Sequence, residues 1–160
     1  MKNRQQETRE TWERREPVAR VAFFGVNGCE EDAVYDHVIT GGDMLSMAVD
    51  RRGHLARVLV PWERVSFFVD LSPRPAPKAD VRVYMDGGAS LDVGLSTMSR
   101  IVDGVWGMLG IYQGQGVRAL VSQHMIQEIV PLHDFGDDVS PLLVSDPYNS
   151  ELWPEFGHKK

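Results

Sequence analysis

Residues 56–69 read ARVLVPWERVSFFV, and residues 117–130 read VRALVSQHMIQEIV. Setting Gly53 against Gly114 aligns the two stretches through Val69 and Val130 without a gap, at a constant offset of 61 (114 less 53). Arg57 meets Arg118, Leu59 meets Leu120, Val60 meets Val121 and Val65 meets Ile126. Both copies are rich in β-branched residues and read as strand, short polar turn, strand. A chain of 160 residues suits one domain or two very small ones. The echo therefore predicts two small β units that close in the same way. Between the copies, Pro61-Trp62-Glu63 gives way to Ser122-Gln123-His124 while the apolar rhythm is kept. The strands are then the frame, and a site would sit on the two turns.

The remaining elements follow from turn chemistry and periodicity. VARVAFFGV after Pro17 reads as a strand, NGCEEDA as a polar loop and VYDHVIT as a half-buried strand. MLSMAVD and LARVLV flank RRGH and predict a hairpin with Gly53 at its tip. Three prolines in Ser72–Asp80 predict a stiff extended linker or crossing loop. VRVYM and SLDVGL form a second predicted hairpin around DGGA. In STMSRIVDGVWGMLGIYQ the apolar residues Ile101, Val102, Val105, Trp106, Leu109 and Tyr112 fall at helical spacing and predict a helix capped by Ser96 or Thr97. Gly104, Gly107 and Gly110 would each cost such a helix about 1 kcal/mol relative to Ala.

The expected organisation is a charged N-terminal arm at 1–16, a first β unit at 17–71, a Pro-rich linker at 72–79, a second β unit with its helix at 80–132 and an acidic, aromatic tail at 133–160. The arm mixes signs and carries Trp12 as its large apolar residue after Met1, so it reads as weakly ordered. The fold class is α+β, mainly β: two small SH3/Sm-like units packed together with one helix in the second.

Composition narrows the function classes. Hydrophobic residues are 42% of the chain, enough for a core. A net charge of −6 argues against nucleic acid, whose binding rests on a basic surface. Cys29 is the single cysteine, so an internal disulfide is excluded and a reducing, cytoplasmic setting is expected. The charged N-terminus has no apolar signal core, and no run of 18 apolar residues suggests a membrane span. A phage or plasmid protein acting in the cytoplasm would read the same way.

No catalytic constellation assembles from the sequence. The serines lie in no G-x-S-x-G elbow, and GVNGCE and GQGVRA have neither Walker nor Rossmann spacing. Cys29 precedes two glutamates, which raise a thiol pKa and disfavour a nucleophile. His124 and Glu128 are four apart, but in a turn-to-strand segment they need not share a face. HDFGDD, at 133–138, could offer oxygen ligands to a divalent cation but fits no defined loop spacing. No catalytic residue, metal or cofactor is expected.

The candidate ligand or partner residues are Arg57, Trp62, Arg118, His124, Trp153 and Phe156. Arg57 and Arg118 could read an anionic group in a shared groove, although strand alternation turns each outward on its own. Trp62 follows a turn proline and reads as a lid over a barrel end or as an exposed anchor. Trp153 and Phe156, in the acidic tail, read as a docking peptide or as a segment that folds back on its own domain.

LARVLVPWERVSFFVDLS also resembles the strand, Val-Pro turn and strand of the stringent starvation protein B family, over about 20 of the 160 residues. The resemblance implies a small Sm-like β-barrel and, in that family, delivery of tagged substrates to a AAA+ protease. Here it supports the barrel and not the adaptor role: the tail WPEFGHKK does not match that family's protease-docking tail. The functional expectation is a non-enzymatic protein-binding or assembly protein that self-associates. The alternatives are a regulatory adaptor or sensor for a small anionic ligand or peptide, and a hydrolase or metal-dependent enzyme using HDFGDD and His124.

Overall fold

The computed structural model describes residues 16–26, 28–38, 44–51, 53–102, 104–134 and 153–154. Most of the predicted N-terminal arm, Trp12 included, most of HDFGDD, and Phe156 lie outside the described residues. Eleven strands form one antiparallel sheet, and the described residues contain no α-helix. The first half holds β1 (Ala19–Gly25), β2 (Gly28–Val38), β3 (Met44–Arg51), β4 (His54–Pro61) and β5 (Val65–Arg74). The second holds β6 (Val81–Met85), β7 (Ser90–Val93), β8 (Ser99–Val102), β9 (Val105–Tyr112), β10 (Gln115–Ser122) and β11 (Ile126–Pro131). Across the sheet the order is β11-β6-β7-β9-β10-β5-β1-β2-β3-β4, with β8 also paired to β9.

This overturns the α+β reading. The two halves are not separate small barrels packed together; β5 of the first pairs with β10 of the second, and the sheet is open. The predicted helix is instead β8, a turn and β9. Gly104 takes a positive φ of 78° at the tip, a conformation that suits an Asp-Gly hairpin and not a helix interior. Gly107 and Gly110 lie in β9 where neighbours come close: a Cβ on Gly107 would strike Ile101 and Trp153, and one on Gly110 would meet the Asp92 carbonyl at 3.0 Å. Gly28 to Ala33 of the predicted polar loop NGCEEDA are also strand, with Gly25 of β1 opposite Gly28 of β2.

The 61-residue offset does describe the folding pattern. It carries β3 onto β9, β4 onto β10, and the 3-10 turn Trp62–Arg64 onto the 3-10 turn Gln123–Met125, end for end. Registers follow: Met44 pairs with Pro61 and Val105 with Ser122. Between β1 and β6 the offset is one residue longer, 62 (81 less 19): Ala19 pairs with Asp70 where Val81 pairs with Pro131, and Val21 with Phe68 where Val83 pairs with Ile129. The long strand β2 corresponds to β7 and β8 together, interrupted by the 3-10 turn Leu95–Thr97. Thr97 Oγ1 repairs that interruption by donating to the Gly94 carbonyl (2.6 Å) and accepting from the Leu109 N–H (2.9 Å).

Two hydrophobic cores form on opposite faces of the sheet. Side chains alternate along a strand, so Phe68 of β5 enters the first core while Phe67 and Val69 enter the second. Leu120 of β10 likewise joins the first core, and Ala119 and Val121 the second. The central strands β5 and β10 are therefore buried on both faces, each half supplying residues to the other's core.

Candidate functional site

The charged centre of the molecule lies where the halves meet. Arg118 of β10 faces Asp70 of β5 in the ladder, and its Nε donates to Asp70 Oδ2 at 2.8 Å. Both residues are buried, at 7% and 5% exposure. The Ser72 N–H donates to Asp70 Oδ1 at 2.9 Å. The Arg118 guanidinium lies 4.4 Å from the centre of the Trp153 ring. Burial pushes the Asp70 carboxyl up, but the Ser72 N–H and the Arg118 charge outweigh it and hold the group below its ordinary range.

Arg118 thus spends its charge inside the protein, on Asp70 and Trp153. Arg57, its counterpart in β4, donates to Asp36 Oδ2 at 2.7 Å and to Ser46 Oγ at 3.2 Å on the exposed surface. Four strands, β5, β1, β2 and β3, separate β10 from β4 in the sheet order, so the two arginines do not line one groove within it. The alternation expected for Arg118 fails because β10 has no outward face.

Trp62 is 5% exposed and belongs to the first core, on the 3-10 turn that links β4 to β5. It packs inward and is not an exposed anchor; with the sheet open there is no barrel end for it to cover. Trp153 is fully buried in the same core, the fold-back position. His124 is exposed on the 3-10 turn Gln123–Met125, and Glu128 is exposed on β11. Among the described residues no group of three or more His, Cys, Asp or Glu is placed to hold a metal ion. Cys29 is exposed, and its slight burial, then Glu31 and Glu30, push the thiol up.

The surface features that stand out are the two ends of the sheet. Among the described residues the outer edges of β4 and β11 pair with no strand. Leu59 on β4 is 64% exposed and Val130 on β11 is 36% exposed. Met44, Val26 and Leu132 add exposed apolar surface near these edges. A pocket of about 320 Å³ opens beside the end of β4, lined by Phe23, Phe24, Val26, Leu59, Pro61 and Arg64. Arg64 secures its rim by donating to the Phe24 carbonyl at 3.0 Å. Such edges present open N–H and C=O groups to an incoming strand.

The sequence reading passed over Asp70, Leu59 and Val130. Asp70 carried a signal: alternation puts it on the face of Phe68, where a carboxylate needs a partner. Leu59 carried none, because its echo Leu120 looks the same in sequence and is fully buried.

No family model matches the chain, and no curated protein or solved structure matches it. Within the described residues no helix is long and apolar enough to cross a membrane.

Proposed function

We propose that this chain is a non-enzymatic binding and assembly protein that associates with other copies of itself through its sheet edges. One observation carries the reading: beside the short branch β8 on β9, the path of the sheet ends in β4 and β11, whose outer edges are unpaired among the described residues and carry exposed Leu59 and Val130. Natural edge strands are commonly blunted by charge, proline or covering segments. β11 does hold Glu128 and Pro131, and β4 ends at Pro61, yet apolar side chains remain beside them. Such a surface gains when water is removed from it. The buried Arg118–Asp70 pair supports the same reading, since it serves cohesion at the centre of the fold.

Sedimentation velocity of the full chain over a hundredfold concentration range tests this. The expected result is a mass above that of one chain, rising with concentration. A single-chain mass throughout overturns it.

A further inference from the structure

The seam between the two halves is a template for the contact between two molecules. β10 corresponds to β4, and β11 to β5, under the 61-residue offset. Inside the chain β10 and β5 pair, whereas β4 and β11 end the path of the sheet among the described residues. We infer that β4 of one copy pairs antiparallel with β11 of the next, in the register that joins β10 to β5. This rests on the assembly reading above and adds to it the partner strand, the register and the polarity of the contact.

The register transfers residue by residue. Arg118 faces Asp70, Ala119 faces Val69 and Leu120 faces Phe68 within the chain. The corresponding contact sets Arg57 against Pro131, Val58 against Val130 and Leu59 against Ile129 of the neighbouring copy. Burial supports the transfer. Ala119, Val69, Leu120 and Phe68 are all fully buried at the formed seam. Of their counterparts, Leu59 and Val130 stand exposed, and Val58 and Ile129 are only partly covered. Pairing would bring these counterparts toward the environment that the same positions already have inside the chain.

The backbone is oriented for it. The Leu132 N–H donates to the Asp80 carbonyl, on the β6 side. Alternation then turns the polar backbone groups of Ile129 and Pro131 to the outer edge. In β5 the Leu71 N–H donates to the Val18 carbonyl, beside β1, which turns Phe68 and Asp70 toward β10 by the same rule. The outward positions of β11 are thus those that β5 uses in the seam.

Two differences make the contact between molecules weaker than the internal one. Pro131 stands where β5 has Asp70, so one N–H is missing from the ladder. The buried carboxylate partner of Arg118 is also absent, and Arg57 keeps its pair with Asp36. The contact is head to tail, because β4 and β11 are different surfaces. Repetition therefore closes a ring or extends a filament, and a two-fold dimer does not form by this contact.

Cysteine cross-linking in full-length chains carrying Cys29→Ser reads the register directly. Val58 and Val130 would form a non-hydrogen-bonded pair, with Cα atoms about 4.5 Å apart, within the range a disulfide spans. Mixing Val58→Cys chains with Val130→Cys chains under mild oxidation should give a covalent heterodimer. Leu55→Cys mixed with Val130→Cys, three residues out of register, should give none. Leu59→Lys alters an exposed side chain and should lower the assembled fraction at least tenfold while leaving the circular dichroism spectrum unchanged. A single-chain mass for the unmodified protein overturns both the assembly reading and this contact. A large assembly that yields no Val58–Val130 cross-link, or cross-links only between like variants, or is indifferent to Leu59→Lys, overturns the contact and leaves self-association standing.

Discussion

At the scale of single residues, the stability of the fold turns on Arg118, Asp70 and Trp153. Removing one member of a buried ion pair strands the other charge, which typically costs about 3–5 kcal/mol. Arg118→Ala should therefore lower unfolding stability by that order in urea titrations, and Asp70→Ala by a similar amount. The double variant should cost clearly less than the sum, because neither charge is then left alone. Trp153→Ala should cost about 3–5 kcal/mol, as for other large core aromatics. The pair also sets the acid limit. The folded Asp70 carboxyl titrates below its unfolded value of about 3.9, so between the two the unfolded chain binds more protons. The stabilisation is complete above the unfolded value and is lost as pH falls through the folded one. Asp70→Asn should flatten the loss of thermal stability below about pH 4, whereas an unchanged acid limb would remove Asp70 from this role.

At the scale of elements, glycines decide where strands turn and where they touch. The hairpins β3–β4 and β9–β10 turn through Gly53 and Gly114, with φ of 84° and 79°. The Gly53 turn was legible because a two-residue loop ending in glycine between apolar runs has few alternatives; the Gly114 turn was hidden behind the helix expected through Tyr112. β8–β9 was not legible, since its apolar residues match helical spacing by coincidence and its glycines mark strand contacts. The first half of β2 was hidden by its charges, although VYDHVIT read as strand: Arg20 pairs with Glu31 at 3.4 Å across β1 and β2, so the polar face of a half-exposed strand reads as loop. Gly116 is the most confined glycine, because a Cβ there would strike the Arg74 carbonyl and come within 2.7 Å of the Ala76 N. Both are backbone atoms and yield little. Gly116→Ala should destabilise by about 1–3 kcal/mol, read as a lower midpoint of urea unfolding.

At the scale of the whole molecule, a continuous sheet with shared cores makes the halves interdependent. Phe67 belongs to the first half but packs in the second core, and Leu120 does the reverse. Unfolding should then be one cooperative transition, with tryptophan fluorescence and far-ultraviolet circular dichroism coinciding. Leu120→Ala should shift both signals together by about 2–5 kcal/mol; two resolved transitions would show that the halves unfold separately. The proposed head-to-tail contact extends the same construction outward, with the internal seam as its stronger version.

The echo at offset 61, the Gly53 hairpin and the β-rich composition were in the sequence, and they determined the strand, short turn, strand of both copies, with 3-10 turns at Trp62–Arg64 and Gln123–Met125. Local chemistry is enough for these, because turn geometry and side-chain alternation act over a few residues. Which strands meet across the halves was decided only by the tertiary structure. Arg57 and Arg118, or Leu59 and Leu120, are alike in their local sequence, yet one of each pair lies on an open edge and the other inside the sheet. Burial depends on the neighbouring strand, and that neighbour is set by the packing of the whole chain.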